Sequence, residues 1–197
     1  MNPGSVPPPD PATALAAAIA ERAEAQRIGL ERVVARGEAI FEQGEPLDRA
    51  FILRSGLVKL VYATASGEEW IKSLIADRNL LGPSGQDRAA PMAYSAIAVE
   101  RSALIAVPVD WLSREIVASA GLTAAYTRFI DWVRMRKEAR EQALLCRSAE
   151  ERYRDLLANE SRLIIRLPQA DIARFLRITP VAFSRIKRRM RGYQPSP

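Results

Sequence analysis

Residues 168–190 read Pro168-Gln-Ala-Asp-Ile-Ala-Arg-Phe-Leu-Arg-Ile-Thr-Pro-Val-Ala-Phe-Ser-Arg-Ile-Lys-Arg-Arg-Met190. The spacing predicts two short helices joined by a tight turn. Pro168 suits a first helical position, where its missing N–H leaves nothing unsatisfied. Ile172, Phe175 and Leu176 follow at helical intervals. Thr179 offers a hydroxyl cap for the second helix, with Pro180 in its first turn. On that helix Phe183, Ile186 and Met190 share one face, while Val181, Ser184, Arg185 and Arg188 share the other. Ala173 is small where two crossing helices must approach. This is the pattern of a helix-turn-helix. Its turn, which often holds Gly, has Arg177 instead, and a positive φ there costs ~1 kcal/mol of strain unless a phosphate contact offsets it.

Charge separates this unit from the rest. Between Arg162 and Arg191, nine Lys/Arg face one acid, Asp171, whereas the whole chain is only +6. The stretch is therefore +8 and the remainder −2. A basic face confined to one small helical unit is the footprint of a phosphate-backbone binder, with double-stranded DNA as partner. The competing readings are an ordinary solvated basic hairpin and an RNA or targeting patch.

Composition excludes several classes. A chain of 197 residues allows one or two domains and a sizeable core. No apolar run approaches the ~20 residues that span a bilayer. No basic region precedes an apolar core at the N-terminus, so neither a secretory signal nor a membrane association is expected, and the location is cytoplasmic. Cys146 is the only cysteine and there is no histidine. That removes an intrachain disulfide, a Ser-His-Asp triad, His-ligated zinc or haem, and an iron–sulfur cluster on four thiolates within a protomer. With no nucleophile or carboxylate constellation either, no catalytic residue, metal or cofactor is expected, and the chain is not an enzyme.

Upstream, five prolines mark residues 1–11 as a disordered, non-helical tail. Thr13–Gln26 forms a short lead helix, completing segment 1–29. From Leu30 to Pro108, short apolar or alternating runs appear at 32–35, 39–41, 50–53, 57–62, 68–75, 95–100 and 103–107. Gly-rich turn signals separate them, as in an all-β sandwich, barrel or roll. The glycines fit no dinucleotide or P-loop motif and read as turn residues. Segment 109–147 is helical with a break at Gly121. After it Leu122, Ala125, Tyr126, Phe129, Ile130, Trp132 and Val133 make an apolar band too wide for one contact surface. Two bodies must cover it, the β-roll and a second subunit, unless all of it packs intramolecularly. Ser148-Ala149-Glu150-Glu151 is a capping box that opens segment 148–197.

This order of elements resembles the Crp/Fnr family of bacterial transcription regulators. The resemblance is carried by Gly37-Glu38-Ala39-Ile40-Phe41-Glu42-Gln43-Gly44-Glu45, Asp48, Phe51 through Leu60, and Gly67-Glu68-Glu69. Ser148 through Tyr153 and Ile178 through Ile186 support it. It implies an α+β chain. Its parts are a jelly-roll-like, cyclic-nucleotide-binding-type sensor over 30–108, dimerisation helices over 109–147 and a helix-turn-helix over 148–197. The chain stops soon after Met190, so a truncated or absent wing is expected. With the chemistry of base edges, the resemblance implies that Arg185 reads a guanine through O6 and N7. Ser184 meets a base edge or phosphate, and Val181, where relatives often carry Glu, meets a thymine methyl. Thr179 belongs to the same surface. Arg174, Arg177, Lys187, Arg188 and Arg189 position phosphates, as does the helix start at Gln169.

In nucleotide-binding members a Gly-Glu pair holds the ribose, and an Arg followed by Ser or Thr holds the cyclic phosphate. Here Gly82 precedes Pro83, and Tyr94 precedes Ser95. A tyrosine cannot supply a bidentate, charged phosphate contact. The candidate effector pocket is Gly82, Pro83, Ser84, Arg88, Tyr94 and Ser95, for an unidentified small-molecule effector, not clearly cAMP, or for none. The expectation is a homodimeric regulator of transcription, with RNA polymerase as the further partner that the resemblance implies. The alternative is a sensor of this type whose helical end binds a protein instead of DNA.

Overall fold

The computed structural model describes residues 10–83 and 90–190. The elements are α1 (Pro11–Ala25), β1 (Leu30–Val34), β2 (Ala39–Phe41), β3 (Arg49–Ser55), β4 (Leu57–Ala63), β5 (Glu69–Ala76), β6 (Asn79–Leu81), β7 (Ser95–Ala98) and β8 (Ser102–Pro108). They continue with α2 (Val109–Ala118), α3 (Ala120–Cys146), α4 (Ala149–Asn159), α5 (Ser161–Ile164), α6 (Gln169–Phe175) and α7 (Pro180–Met190).

Asp10 accepts a hydrogen bond from the Thr13 N–H at 2.8 Å, and Pro11 occupies the first turn of α1. This corrects the expectation that residues up to 11 are non-helical. A proline in the first turn forfeits no intrahelical bond, and the cap before it holds the start. The disordered tail expected over residues 1–9 lies outside the described residues.

Two four-stranded antiparallel sheets face each other, one ordered β1-β8-β3-β6 and the other β2-β7-β4-β5. The alternation of strand side chains fills the space between them with Val34, Phe41, Phe51, Leu53, Val58, Leu60, Tyr94 and Leu104. The outer face of the first sheet is covered by helices. Ile52, Ile105 and Val107 meet Leu15 and Ile19 of α1, Trp111 of α2 and Leu122 of α3. The outer face of the second sheet is covered as well. Leu57, Leu74 and Ala76 join Tyr153, Leu156, Leu167, Ile172, Leu176, Phe183 and Ile186 in one cluster. The order of layers is helices, sheet, sheet, helix-turn-helix.

Strand β6 was not legible as a strand. It is three residues long, and it pairs with β3 through Phe51↔Leu81 after a turn in which Arg78 takes φ 60°. The break between α2 and α3 falls at Ser119 rather than Gly121. Ser119 has extended backbone, and its hydroxyl accepts from the Leu122 N–H at 3.4 Å, so cap chemistry decides the position and Gly121 lies inside α3.

Helix α3 has 27 residues, about 40 Å at 1.5 Å per residue, yet Leu122 is its one buried residue. Ala125 and Phe129 pack partly against the roll. Tyr126 (38%), Ile130 (45%), Met135 (61%) and Leu145 (78%) stay exposed. The band thus splits into a covered and an uncovered part. Among the described residues no strand follows β8, and the wing expectation concerns residues after Met190, outside the described residues.

Candidate nucleic-acid interface

The capping box at Ser148 and Glu151 forms in both directions and starts α4. The Tyr153 ring of α4 then stands edge-on to Phe183 of α7, with centroids 5.0 Å apart. Phe183 and Ile186 are buried against Ile172, Ala173 and Leu176 of α6. Pro168 is the cap residue of α6 and Gln169 its first helical residue, one position later than the sequence reading. Pro168 has ψ 145°, extended rather than helical. The turn closes as the Ile178 N–H reaches Ala173 O at 3.1 Å, with Arg177 at φ 59°. That is the left-handed geometry which terminates helices and usually selects glycine. Thr179 Oγ1 accepts from the Ala182 N–H at 3.2 Å, and Pro180 opens α7.

This frame fixes what α7 presents outward. Val181 is 63% exposed, and Ser184, Arg185 and Arg188 are exposed beside it, as are Gln169 and Thr179. The side chains of Ser184, Arg185 and Arg188 form no hydrogen bond or ion pair among the described residues. A row of polar and cationic groups with an apolar contact at one end is thereby left open on a rigid helix.

The remaining basic candidates are engaged. Lys187 is half-buried, its ammonium 5.9 Å from the Phe183 ring. Arg189 pairs with Glu150 at 2.9 Å. Arg174 lies between Glu69 at 3.7 Å and Asp171 at 3.5 Å. Arg177 places its guanidinium 4.2 Å from the Trp70 ring. Arg174 and Arg177 thus face the roll in this arrangement, and Arg177 meets an indole where the sequence reading offered a phosphate.

That docking rests on residues the sequence reading did not single out. Lys59 on β4 donates to Asp171 on α6 at 2.9 Å, with side chains only 13% and 8% exposed. Arg140 of α3 donates to Ile71 O at 2.8 Å and Phe175 O at 2.9 Å and stacks on the Phe175 ring, clamping roll, helix and turn together. Arg166 reaches Asp77 at 2.7 Å and Glu100 at 2.6 Å. Lys59 carried one faint signal, a cation inside the apolar run Leu57–Val61. Its partner is 112 residues away, which no local pattern reveals.

In the candidate effector region, Gly82 takes φ +152°, and a Cβ there would come within 3.1 Å of Ala50 Cα. Tyr94 is buried at 7% exposure, and its hydroxyl donates to Gly82 O at 3.1 Å. Phe41 and Tyr62 flank its ring at 5.9 and 6.3 Å. The Lys72 ammonium stands 3.8 Å from the ring centroid. Burial, and secondarily Lys137, lowers the Lys72 pKa to about 8. Ser95 Oγ accepts from the Gln43 N–H at 2.9 Å, just beyond the end of β2. Pro83 is half-buried. Ser84 and Arg88 lie outside the described residues. Gly82 and Tyr94 are therefore brought together, and the nearby cation is Lys72.

Residues 31–117 match the cyclic nucleotide-binding domain family. The transcriptional activator protein Anr of Pseudomonas aeruginosa is 35% identical over 81 residues, 41% of this chain and 33% of that protein. Its counterpart in Pseudomonas protegens is 29% identical over 132 residues, 66% of this chain and 53% of that protein. Among solved structures, FixK2 from Bradyrhizobium japonicum superposes with a TM-score of 0.71 at 18% identity, covering 84% of this chain and 85% of that one. The chain is thus similar in sequence, over less than half to two thirds of its length, to regulators of transcription, and similar in fold to FixK2 over most of it. The fold likeness extends past the roll: the global regulator CLP of Xanthomonas campestris superposes over 89% of this chain and 92% of its own, with a TM-score of 0.70 at 13% identity. The matched stretches span a third to about half of the two curated relatives' lengths. Against the pattern that the resemblance implies, the roll departs at Pro83 and Tyr94. The helix-turn-helix departs from the pattern of such motifs at Arg177 and Val181.

Proposed function

We propose that this chain is a homodimeric, sequence-specific DNA-binding regulator of transcription of the Crp/Fnr type, acting in the cytoplasm without catalysis, metal or cofactor. The open face of α7 carries the reading. Val181, Ser184, Arg185 and Arg188 face solvent while Phe183 and Ile186 anchor the same helix in the core. An arginine free of internal partners on a rigid helix has the fork needed for guanine O6 and N7. Arg188 and Gln169 flank it as backbone contacts, and Arg189, Lys187, Arg174 and Arg177 join them to the extent that their present partners release them. Dimerisation is supported by the uncovered apolar side of α3, where Tyr126, Ile130 and Met135 call for a second copy. The roll then acts as a sensor for a small effector or as a fixed scaffold, with RNA polymerase as the downstream partner.

The test is selection of bound duplexes by the purified protein. The expected site is an inverted repeat with half-site centres about one helical turn, ~10 bp, apart. Arg185→Ala should then lose ~1–3 kcal/mol on that site and little on random DNA. Equal losses on both would show that another face reads the bases. A salt-insensitive complex with a protein and no DNA affinity would favour the sensor that acts through a protein partner.

A further inference from the structure

Three guanidinium groups converge on the C-terminal end of α6. Arg140 of α3 donates to Phe175 O at 2.9 Å, and Arg152 of α4 donates to the next carbonyl, Leu176 O, at 2.8 Å. Arg177 follows those two residues and rests on the Trp70 ring of β5 at 4.2 Å. Arg140 also donates to the carbonyl of Ile71, the residue after Trp70, at 2.8 Å. Arg140 and Arg152 thus share neighbouring carbonyls on the turn, and Arg140 and Arg177 share neighbouring residues on β5.

No acid answers them. Arg140, Arg152 and Arg177 form no ion pair among the described residues. The acids nearest in the chain are committed elsewhere: Glu69 to Arg174, Asp155 to Arg147, and Glu150 to Arg154 and Arg189. The carbonyl end of a helix attracts cations, but it carries only about half a negative charge. Half a charge does not balance three. Burial, and then the charges of Arg152 and Arg177, lower the Arg140 pKa to about 10.

Hydrogen-bond donors are left over as well. Arg152 Nε is buried without a partner, the one such side-chain atom among the described residues. A buried donor of this kind calls for an acceptor. The Arg177 guanidinium makes no hydrogen bond among the described residues, and Arg177 is exposed, so the cluster opens to solvent on its side.

We infer that Arg140, Arg152 and Arg177 form a binding site for a phosphoryl group, where α3, α4 and the helix-turn-helix meet β5. The site is distinct from the candidate effector region at Gly82 and Tyr94, and it stands independently of the DNA-binding reading. A phosphoryl group brings three acceptor oxygens and a charge of about −1.5 to −2 at pH 7, and arginine forks take it in bidentate fashion. A carboxylate or a cyclic phosphodiester brings two free oxygens and one charge, which leaves part of the cluster unmatched. A duplex phosphate fits less well, because Arg140 is held in the junction between β5 and α6 and not on the open face of α7. The occupant is therefore inorganic phosphate or a small phosphorylated molecule. Since its three holders are brought together by the seating of the helix-turn-helix on the roll, the ligand binds that arrangement and stabilises it.

The test uses the full chain in a buffer free of phosphate and sulfate, with inorganic phosphate and glycerol 3-phosphate as probes. Calorimetry should show saturable binding. At ten times the dissociation constant the melting temperature should rise by roughly 3–6 °C, and sodium chloride at equal ionic strength should not reproduce the rise. Arg177→Gln and Arg152→Gln should each weaken binding by about tenfold or more, with a cooperative circular-dichroism melt retained in the absence of ligand. Arg177→Lys should bind with intermediate affinity, since it keeps the charge and loses the fork. Tighter binding of glycerol 3-phosphate would assign the site to a phosphorylated small molecule, tighter binding of phosphate to the free ion, and equal binding to the phosphoryl group itself. Absence of binding by both probes, a rise matched by chloride, or undiminished affinity in the two glutamine variants would overturn the proposal. Weaker binding of duplex DNA by both variants, with no response to either probe, would overturn it too and assign these arginines to DNA.

Discussion

Replacing Lys59 by Met removes the ammonium from the buried end of the contact between roll and helix-turn-helix. Asp171 is 8% exposed in its side chain and keeps one neighbour, Arg174, at 3.5 Å. Stranding a buried charge costs ~3–5 kcal/mol. The contact with Arg174, whose side chain is 41% exposed, returns about 1 kcal/mol at most. Lys59→Met should therefore lose ~2–4 kcal/mol of stability, a fall in melting temperature of roughly 5–15 °C for a chain of this size. Lys59→Met with Asp171→Leu removes both charges and returns apolar surface to an apolar cluster, so the double variant should fall within ~1 kcal/mol of the parent. Urea unfolding of the parent, both single variants and the double variant gives the coupling energy directly. Additive single effects, or a Lys59→Met variant as stable as the parent, would show that the ion pair does not hold the two parts together.

Two further predictions follow from the roll. Lys72 is held with a pKa of about 8 against a reference of 10.5. The native state therefore binds fewer protons than the unfolded chain between those values, and stability should rise with pH across that window. Denaturant titrations at several pH values check this, and an unchanged rise in Lys72→Met would assign it to another group. Addition of cAMP or cGMP should leave DNA affinity unchanged, because Tyr94 is packed onto Gly82 and no arginine occupies its position. Micromolar calorimetric binding coupled to tighter DNA binding would refute that.

Local chemistry made much of the fold readable. The hydroxyl of Thr179, the reciprocal cap of Ser148 and Glu151, and the 3–4 spacing of Phe183, Ile186 and Met190 each act within one turn of helix. Even the left-handed backbone at Arg177 was foreseeable from the shape of the turn. What Arg177 touches was not, because Trp70 lies more than a hundred residues away in sequence. Lys59 and Asp171 are 112 residues apart and Arg140 and Ile71 are 69 apart, both beyond any local pattern. These contacts arise from the stacking of layers, and stacking depends on every element at once. The break at Ser119 was misplaced for a different reason. Glycine is a weak stop signal, and a serine two residues earlier supplied a stronger one. The exposed side of α7 needed no long-range information, since an amphipathic helix shows which face its core residues leave free. How many basic residues of the helix-turn-helix are open did need it, because Glu69, Trp70 and Glu150 engage Arg174, Arg177 and Arg189.

The second sheet has no face of its own turned to water where β4 and β5 pass beneath α6. Leu57, Leu74 and Ala76 are as much part of the seat of the helix-turn-helix as Leu176 or Phe183. The helix-turn-helix is thus no interchangeable cassette. A graft that put the helices of another protein of this fold after residue 147 would inherit a seat shaped for Ile172 and Leu176 and a lysine waiting for Asp171. Such a chimera needs matching changes on the two strands, and the pairs that must change together are those named across this junction.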